Sequence, residues 1–378
     1  MNVMPYLLHH HFDPDFDHTQ LQPREMADGT VDHYDLNYVQ NVIQGQVLAE
    51  LREIPSDEAL NYESRFVRDT PDFPLGRNCS VNPDNPNQLL ADANGFALYE
   101  DDVISVRRTL NIRRDVDFHS GNILFVGDMV VHGNVRAGFD IKARNILVKG
   151  LINAAGVAAQ ENVVTETGIK GGNKAVIEAG KSIRAPFCEN ALLKAGQDVL
   201  IDGGCLNCEL YVKGRLAVKG RFMGGVANCT DHMLVSEVIG GGSMGMDTEV
   251  HLGFDPFLTQ QLDAVDETLD ELNSLLSHYK AEIARGEAHE EEFAPKILKV
   301  ETKLESLKKK RDKLDILIQE TSLAHRASLL VPGEVRPGVI VTIGGVALKI
   351  NDYYSDVRFT LQDGEIQMSS PALGGEQE

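Results

Sequence analysis

Between Gly121 and Gly253 the chain alternates polar and aliphatic residues in very short runs. Five runs open on a polar residue and continue into aliphatics: Asn145-Ile-Leu-Val-Lys-Gly150, Asn162-Val-Val-Thr165, Ser182-Ile-Arg-Ala185, Asp198-Val-Leu-Ile-Asp-Gly203 and Arg215-Leu-Ala-Val-Lys-Gly220. Their starts lie 17, 20, 16 and 17 residues apart. Asn122-Ile-Leu-Phe-Val-Gly127 is a looser copy upstream, and Ala-Gly recurs at Ala137-Gly138, Ala179-Gly180 and Ala195-Gly196. A repeat of this length is a solenoid signature. The apolar runs are too short for a helix, and Gly, Asn and Asp between them turn the chain at little steric cost. One unit cannot bury its inner face alone, so stacking must supply the core.

After the repeats the period changes. Asp255-Pro256 reads as a capped helix start. Leu258, Leu262, Val265, Leu269, Leu272, Leu276, Tyr279 and Ile283 then recur at alternating spacings of 4 and 3. Arg285-Gly286 interrupts this seam. Phe293, Ile297, Val300, Leu304, Leu307, Arg311, Leu314 and Ile318 form a second, with Arg311 its one charged member. Two heptad seams around a short break predict an antiparallel coiled coil. Asp263, Asp266, Glu267, Asp270 and Glu271 would then face the basic half of the second helix, around Lys308 to Lys313, and pin the register.

Flanking segments are β-patterned. Tyr38 to Ala49 suggests two short strands around Gly45. Leu89 to Val106 suggests a strand pair turned at Asn94-Gly95, a favoured hairpin dipeptide; the absence of lysine at that tip argues against a carrier domain. Leu329-Leu-Val331, Val339 to Ile343, Val346 to Ile350 and Val357 to Leu361 are expected to return to the solenoid and cap its open end. The predicted fold is thus mainly β with a helical hairpin: a right-handed parallel β-helix. We divide the chain into an N-terminal β-rich domain with an irregular lead-in (1–106), the β-helix (107–254), the coiled-coil hairpin (255–326), the capping strands (327–368) and a disordered tail (369–378).

Charge and composition narrow the function classes. The chain has 378 residues and a net charge of -21, which argues against nucleic acid as a partner. No apolar run reaches the length of a membrane span. Met1 to Leu8 is too short for a signal core, so a cytoplasmic location is expected.

Candidate chemistry is sparse. Cys205-Leu-Asn-Cys208, with Cys188 and Cys229 lying 17 and 21 residues away, could place four thiols near one zinc ion. The competing reading, which we favour, is that these cysteines fill the interior as small hydrophobes. His9, His10, His11, Asp13, Asp15, Asp17 and His18 are metal-ligand types without a ligand spacing. Gly241-Gly-Ser-Met-Gly245 matches the nucleophile-elbow pattern but lacks the following helix. Asp140, Glu178, Asp198 and Asp202 are scattered acids from which no catalytic pair can be chosen. No cofactor, metal or catalytic residue is therefore assigned. The expected working surface is the tip of the hairpin, at Gly286, His289, Glu290, Glu291 and Glu292, together with the N-terminal domain.

The order of parts resembles the flagellar assembly protein A family. The resemblance rests on Asp28-Gly-Thr-Val31 with Val42 to Ala49, on Val116 to Val135, on Ile239 to Pro256, and on Gly333 to Gly344. It extends from about Asp28 to Ile366, except that Pro55-Ser-Asp-Glu-Ala59 replaces a glycine-rich connector. The resemblance implies a cytoplasmic, non-enzymatic protein acting in polar flagellum placement, with no catalytic residues to carry over. Three readings follow: a scaffold or adaptor for protein partners; a self-assembling filament, or a smaller homo-oligomer; and a polysaccharide-active β-helix enzyme.

Overall fold

In a computed structural model the described residues are 4–17, 21, 24–25, 31–32, 34, 36–241, 247–285 and 290–371; for 24–25, 31–32 and 290–292 the description extends to the backbone alone. The chain forms two compact units, Met1–Leu192 and Leu193–Glu378. Both are built mainly of β-strands, and the second carries two long helices.

The first unit opens with a two-stranded antiparallel pair, Arg24–Glu25 with Val31–Asp32, and two larger antiparallel sheets. One has the order Val67–Arg68, Tyr6–His10, Val47–Glu53, Gln88–Ala91, Cys79–Val81. The other has the order Val103–Arg107, Gly95–Glu100, Asn41–Val42. Leu8, Leu48, Leu51, Leu89, Ala97, Ile104 and Val106 form their common core. Two sequence expectations fail here. The lead-in is not irregular: Tyr6–His10 pairs with strands on both sides, because Leu8 supplies a core anchor that a five-residue alternation barely advertises. The strand pair is turned by Asp101-Asp102, not by Asn94-Gly95. Both aspartates adopt positive φ, 51° and 64°, as a tight two-residue hairpin turn requires. Asn94 instead carries the chain from one sheet to the other, its side chain accepting a hydrogen bond from the Gln44 amide (2.9 Å).

The same unit then winds into parallel rungs. Met129 stands opposite Ile146, Ile146 opposite Val163, and Val163 opposite Ile183. Within each three-residue strand the outer positions point inward, as Ile146 and Val148 do, and the middle one faces out. The polar residue that opens each repeat has a structural role. Asn145 donates to Asp128 (2.9 Å), Asn162 donates to Asn145 (3.0 Å), and the Ser182 amide donates to Asn162 (3.3 Å). This ladder satisfies corner groups that the sheets leave over. The N-terminal sheets sit against the first rung: Asn41 donates to the Leu124 carbonyl (2.7 Å) and accepts from the Val126 amide (3.0 Å).

The second unit continues the parallel pattern, with Val199 opposite Leu216 and Leu216 opposite Met233. Strand Thr248–Leu252 lies in register on Arg221–Cys229, pairing Leu252 with Cys229. Strand Ser328–Val335 lies in register on His232–Val235, pairing Ser328 with His232. In the earlier rung the corner between these faces is Thr230-Asp231. In the later rung that corner is replaced by everything from Gly253 to Ala327. The helical hairpin is therefore an insertion at one solenoid corner. Beyond it, Val339–Ile343 pairs with Thr248–Leu252 below and antiparallel with Val346–Lys349 above. Likewise Tyr354–Gln362 runs antiparallel to Ser328–Val335 and to Glu365–Ser369.

Candidate functional site

The hairpin consists of α1, Pro256–Ala284, and α2, Glu290–Glu320. Its start is fixed by Asp255, whose carboxylate accepts a hydrogen bond from the Phe257 amide (3.0 Å) and pairs with Lys213 (2.9 Å). Asp255 is buried, so this pairing offsets the cost of desolvating it. Gly253, at φ 102°, lets the backbone pass Ala324, where any Cβ would clash at 2.8 Å. The returning chain closes the base: the Leu323 amide donates to the Gly253 carbonyl (2.7 Å), and Arg326 pairs with Asp231 (3.1 Å). The foot of α1 also lies on the sheet. Tyr211 hydrogen-bonds to Gln260, and burial, then Glu209 and Asp263, push its hydroxyl pKa up.

Along the shaft the expected seam is the observed one. Val265, Leu269, Val300, Leu304 and Leu314 form its buried cluster, with Leu258, Leu262, Leu272, Leu276, Tyr279 and Leu307 packed beside them, and Ile318 is buried as well. Arg311 turns aside to Asp266 (2.7 Å), and Lys280 reaches Glu301 (3.1 Å). The first pair joins the acidic part of α1 to the basic part of α2, as the charge pattern predicts. Both are surface pairs, so they set register more than stability. Near the far end the Tyr279 and Phe293 rings meet edge to face at 5.1 Å. Of the tip residues, Gly286 and His289 lie outside the described residues. Glu290, Glu291 and Glu292 begin α2, and their side chains also lie outside the description.

The cysteines do not form the zinc quartet. In the second unit Cys205 stands opposite Phe222, Cys208 opposite Gly225, and Cys229 opposite Val212. Cys229 is thus several residues along the strand from either member of the Cys205/Cys208 pair. Cys188, Cys205, Cys208 and Cys229 are all buried. The Cys229 thiol donates to the Gly214 carbonyl (3.1 Å), and burial pushes its pKa up to about 12, which suits a packed thiol and not a thiolate ligand. Among the described residues no group of three or more His, Cys, Asp or Glu is arranged to hold a metal ion. At the amino end, Asp15 pairs with Arg65 (2.6 Å), and the His10 ring packs among Phe12, Phe66 and Tyr99. Those residues are engaged in the fold; His18 lies outside the described residues.

The remaining candidates are similarly placed. Asp198 is held by Arg215 (2.9 Å), which keeps its carboxyl below the usual range, and Asp202 pairs with Lys219 (2.6 Å). Asp140 accepts a hydrogen bond from the Gly156 amide (3.1 Å). These carboxylates serve the stacking of rungs. Of Gly241 to Gly245, residues 242–245 lie outside the described residues. What sequence reasoning missed is a recurring left-handed turn position: Asn173, Asn190, Asn207 and Gly224 all adopt positive φ between 50° and 68°. Their regular spacing of 17 residues was the available signal.

Parallel rungs interrupted at one corner by a helical hairpin, and followed by antiparallel strands, define a β-solenoid protein with an inserted arm. The chain belongs to the flagellar assembly protein A family, whose β-solenoid domain matches residues 108–366. No curated protein and no solved structure matches it. The family's description connects the chain with flagellar assembly. No helix among the described residues is long and apolar enough to cross a membrane.

Proposed function

We propose that the protein is a non-enzymatic scaffold or adaptor in flagellar assembly or placement. It takes protein partners in the cytoplasm through the hairpin arm, with its tip at Gly286, His289 and Glu290 to Glu292, and through the N-terminal sheets. The observation that carries this reading is the way the arm is mounted. It replaces a single solenoid corner, and its base is fixed by Lys213–Asp255, by Arg326–Asp231 and by the backbone bond from Leu323 to Gly253. Such a base presents a long helical surface in one direction without disturbing the ladder beneath. Surfaces held on rigid elements bind with less ordering cost than mobile ones.

The filament reading is less well supported. Both parallel strands that would offer an edge, Ser328–Val335 and Val339–Ile343, are covered by antiparallel partners. Covered edges resist end-to-end addition.

The test is a chain in which Pro256 to Ser322 is replaced by a short glycine linker. The closeness of Gly253 and Leu323 makes that join feasible. Calorimetry should show the β units still melting cooperatively. In cells lacking the native protein, the shortened chain should fail to restore flagellar number and position. Full restoration would overturn the role of the arm.

A further inference from the structure

We propose that the first unit contains a binding site for a small organic anion with a flat, aromatic body. The site is a cleft of about 800 Å³ between the N-terminal three-stranded sheet and the first solenoid rung. Strand Gly95–Glu100 buries Ala97 in the N-terminal core and turns Phe96 and Leu98 the other way. Strand Thr109–Ile112 buries Leu110 and Ile112 in the solenoid and turns Thr109 and Asn111 outward. The two outward faces confront one another across the cleft. One wall is therefore apolar, made of Phe96, Leu98 and Tyr38, and the other polar, made of Asn111, Arg113 and His132. Small-molecule sites combine apolar walls with a few convergent polar groups, at volumes of roughly 300 to 1,000 Å³.

In formal charge Asp13 and Glu100 offset Arg107 and Arg113, so the case for an anion is local and rests on Arg113. Glu100 is already occupied by Arg107 (2.6 Å). Asp13 uses its carboxylate to accept the Asp15 amide (3.0 Å). His132 sits against the Asn111 side-chain oxygen (3.3 Å), which orients the ring. Arg113 makes no ion pair or hydrogen bond to any described residue, although the chain carries 57 acidic residues and a net charge of -21. A guanidinium with no carboxylate beside it, at the edge of an aromatic-walled cleft, suits a carboxylate, sulfonate or phosphate approaching its planar fork. The ligand's flat body would then lie against Phe96 and Tyr38.

Anilinonaphthalene sulfonate combines a sulfonate with fused aromatic rings and is a direct probe. The chain contains no tryptophan, so the probe's emission is read without indole overlap. With the full chain it should bind saturably, one per chain. Arg113→Gln should weaken binding about tenfold, as loss of one charge-assisted contact implies. Leu98→Glu should abolish it, and Arg52→Gln, outside the cleft, should leave it unchanged. Adenosine monophosphate should displace the probe, and inorganic phosphate alone should not. Melting curves identify any variant that fails to fold. Because Arg113 has no described partner to lose, its variant keeps the test decisive. Equal affinity in Arg113→Gln and the native chain, or unsaturable binding of many probes, would overturn the proposal. Displacement by phosphate alone would overturn its aromatic half.

Discussion

Acidification should destabilise the first unit, most strongly through His10; burial lowers the pKa of the neighbouring His9 in the same direction. The His10 ring lies 5.0 Å from Tyr99, 5.1 Å from Phe66 and 5.3 Å from Phe12, and its Nε2 is buried without a hydrogen-bond partner among the described residues. Burial is the largest cause that lowers its pKa, followed by the neighbouring His9 and by Arg65; Asp15 acts the other way, and Arg68 adds a smaller lowering. The pKa falls from 6.5 to about 4. Above pH 6.5 His10 is neutral in both folded and unfolded chains, and the advantage of the neutral buried ring is fully present. Between pH 6.5 and 4 the unfolded chain takes up a proton that the folded chain refuses, so stability falls as pH falls. Below 4 the loss is complete. The linkage ceiling is about 3 kcal/mol, and solvent reaching the partly exposed ring reduces it to about 1–2 kcal/mol.

Carboxylates also titrate in the lower part of that window, so the measurement is a difference. Calorimetric transitions of the native chain and of His10→Leu are compared at pH 7, 5.5 and 4.5. Leucine keeps an apolar filler in the aromatic pocket and cannot be protonated. The first-unit transition of the native chain should fall more steeply, opening a gap of about 1–2 kcal/mol by pH 4.5. Parallel decline of the two proteins would refute the reasoning, because it would mean that the ring accepts its proton without leaving its pocket.

Three further outcomes follow from the second unit. Gly225 sits at φ 87°, with a would-be Cβ 2.2 Å from the Cys208 carbonyl, so Gly225→Ala should cost at least about 2 kcal/mol, read as a lower second-unit melting transition. Arg311→Leu removes a surface pair from an otherwise apolar seam; hairpin stability, read by helical circular dichroism in urea, should change by less than about 1 kcal/mol or rise. Cys229, with its thiol pKa pushed up to about 12, should resist iodoacetamide in the folded chain and react only after denaturant is added, as mass spectrometry of the labelled peptides would show.

The solenoid was legible because each rung repeats a polar opener and two inward aliphatics, a pattern with one physical solution. The hairpin was legible because its seams hold heptad spacing over many turns. Other features were carried by geometry that spacing does not encode. Cys188, the Cys205/Cys208 pair and Cys229 lie about one rung apart in sequence, yet register places Cys229 opposite Val212, not opposite another cysteine. Asp101-Asp102 lacks the glycine that marks most tight turns, and the strands on either side decide it. The cleft was invisible for a further reason: it is assembled from Tyr38, from Phe96 and Leu98, and from Asn111 to His132, segments that no local pattern joins. Its sequence trace is two basic pairs in an acidic chain, Arg107-Arg108 and Arg113-Arg114.

The placement of the hairpin follows from what a solenoid can tolerate. Strand positions are paired above and below, so an insertion there would break two ladders and expose inward residues such as Cys229 and Leu252. A corner contributes few ladder bonds, and its length can change without shifting register on either face. Pairing of Leu252 with Cys229 and of Ser328 with His232 shows that register is kept across the whole insertion. The arm can then lengthen, shorten or change sequence while the rungs beneath stay the same. Only its base is constrained: Asp255 must meet Lys213, and Arg326 must meet Asp231. Charge reversal at either pair should therefore alter how the arm is held before it alters whether the solenoid folds. Small-angle scattering of Lys213→Glu beside its calorimetric profile separates those two effects. A changed scattering curve with an unchanged second-unit transition is expected, and a lost transition with no folded arm variant would place the pair in the solenoid's own stability instead.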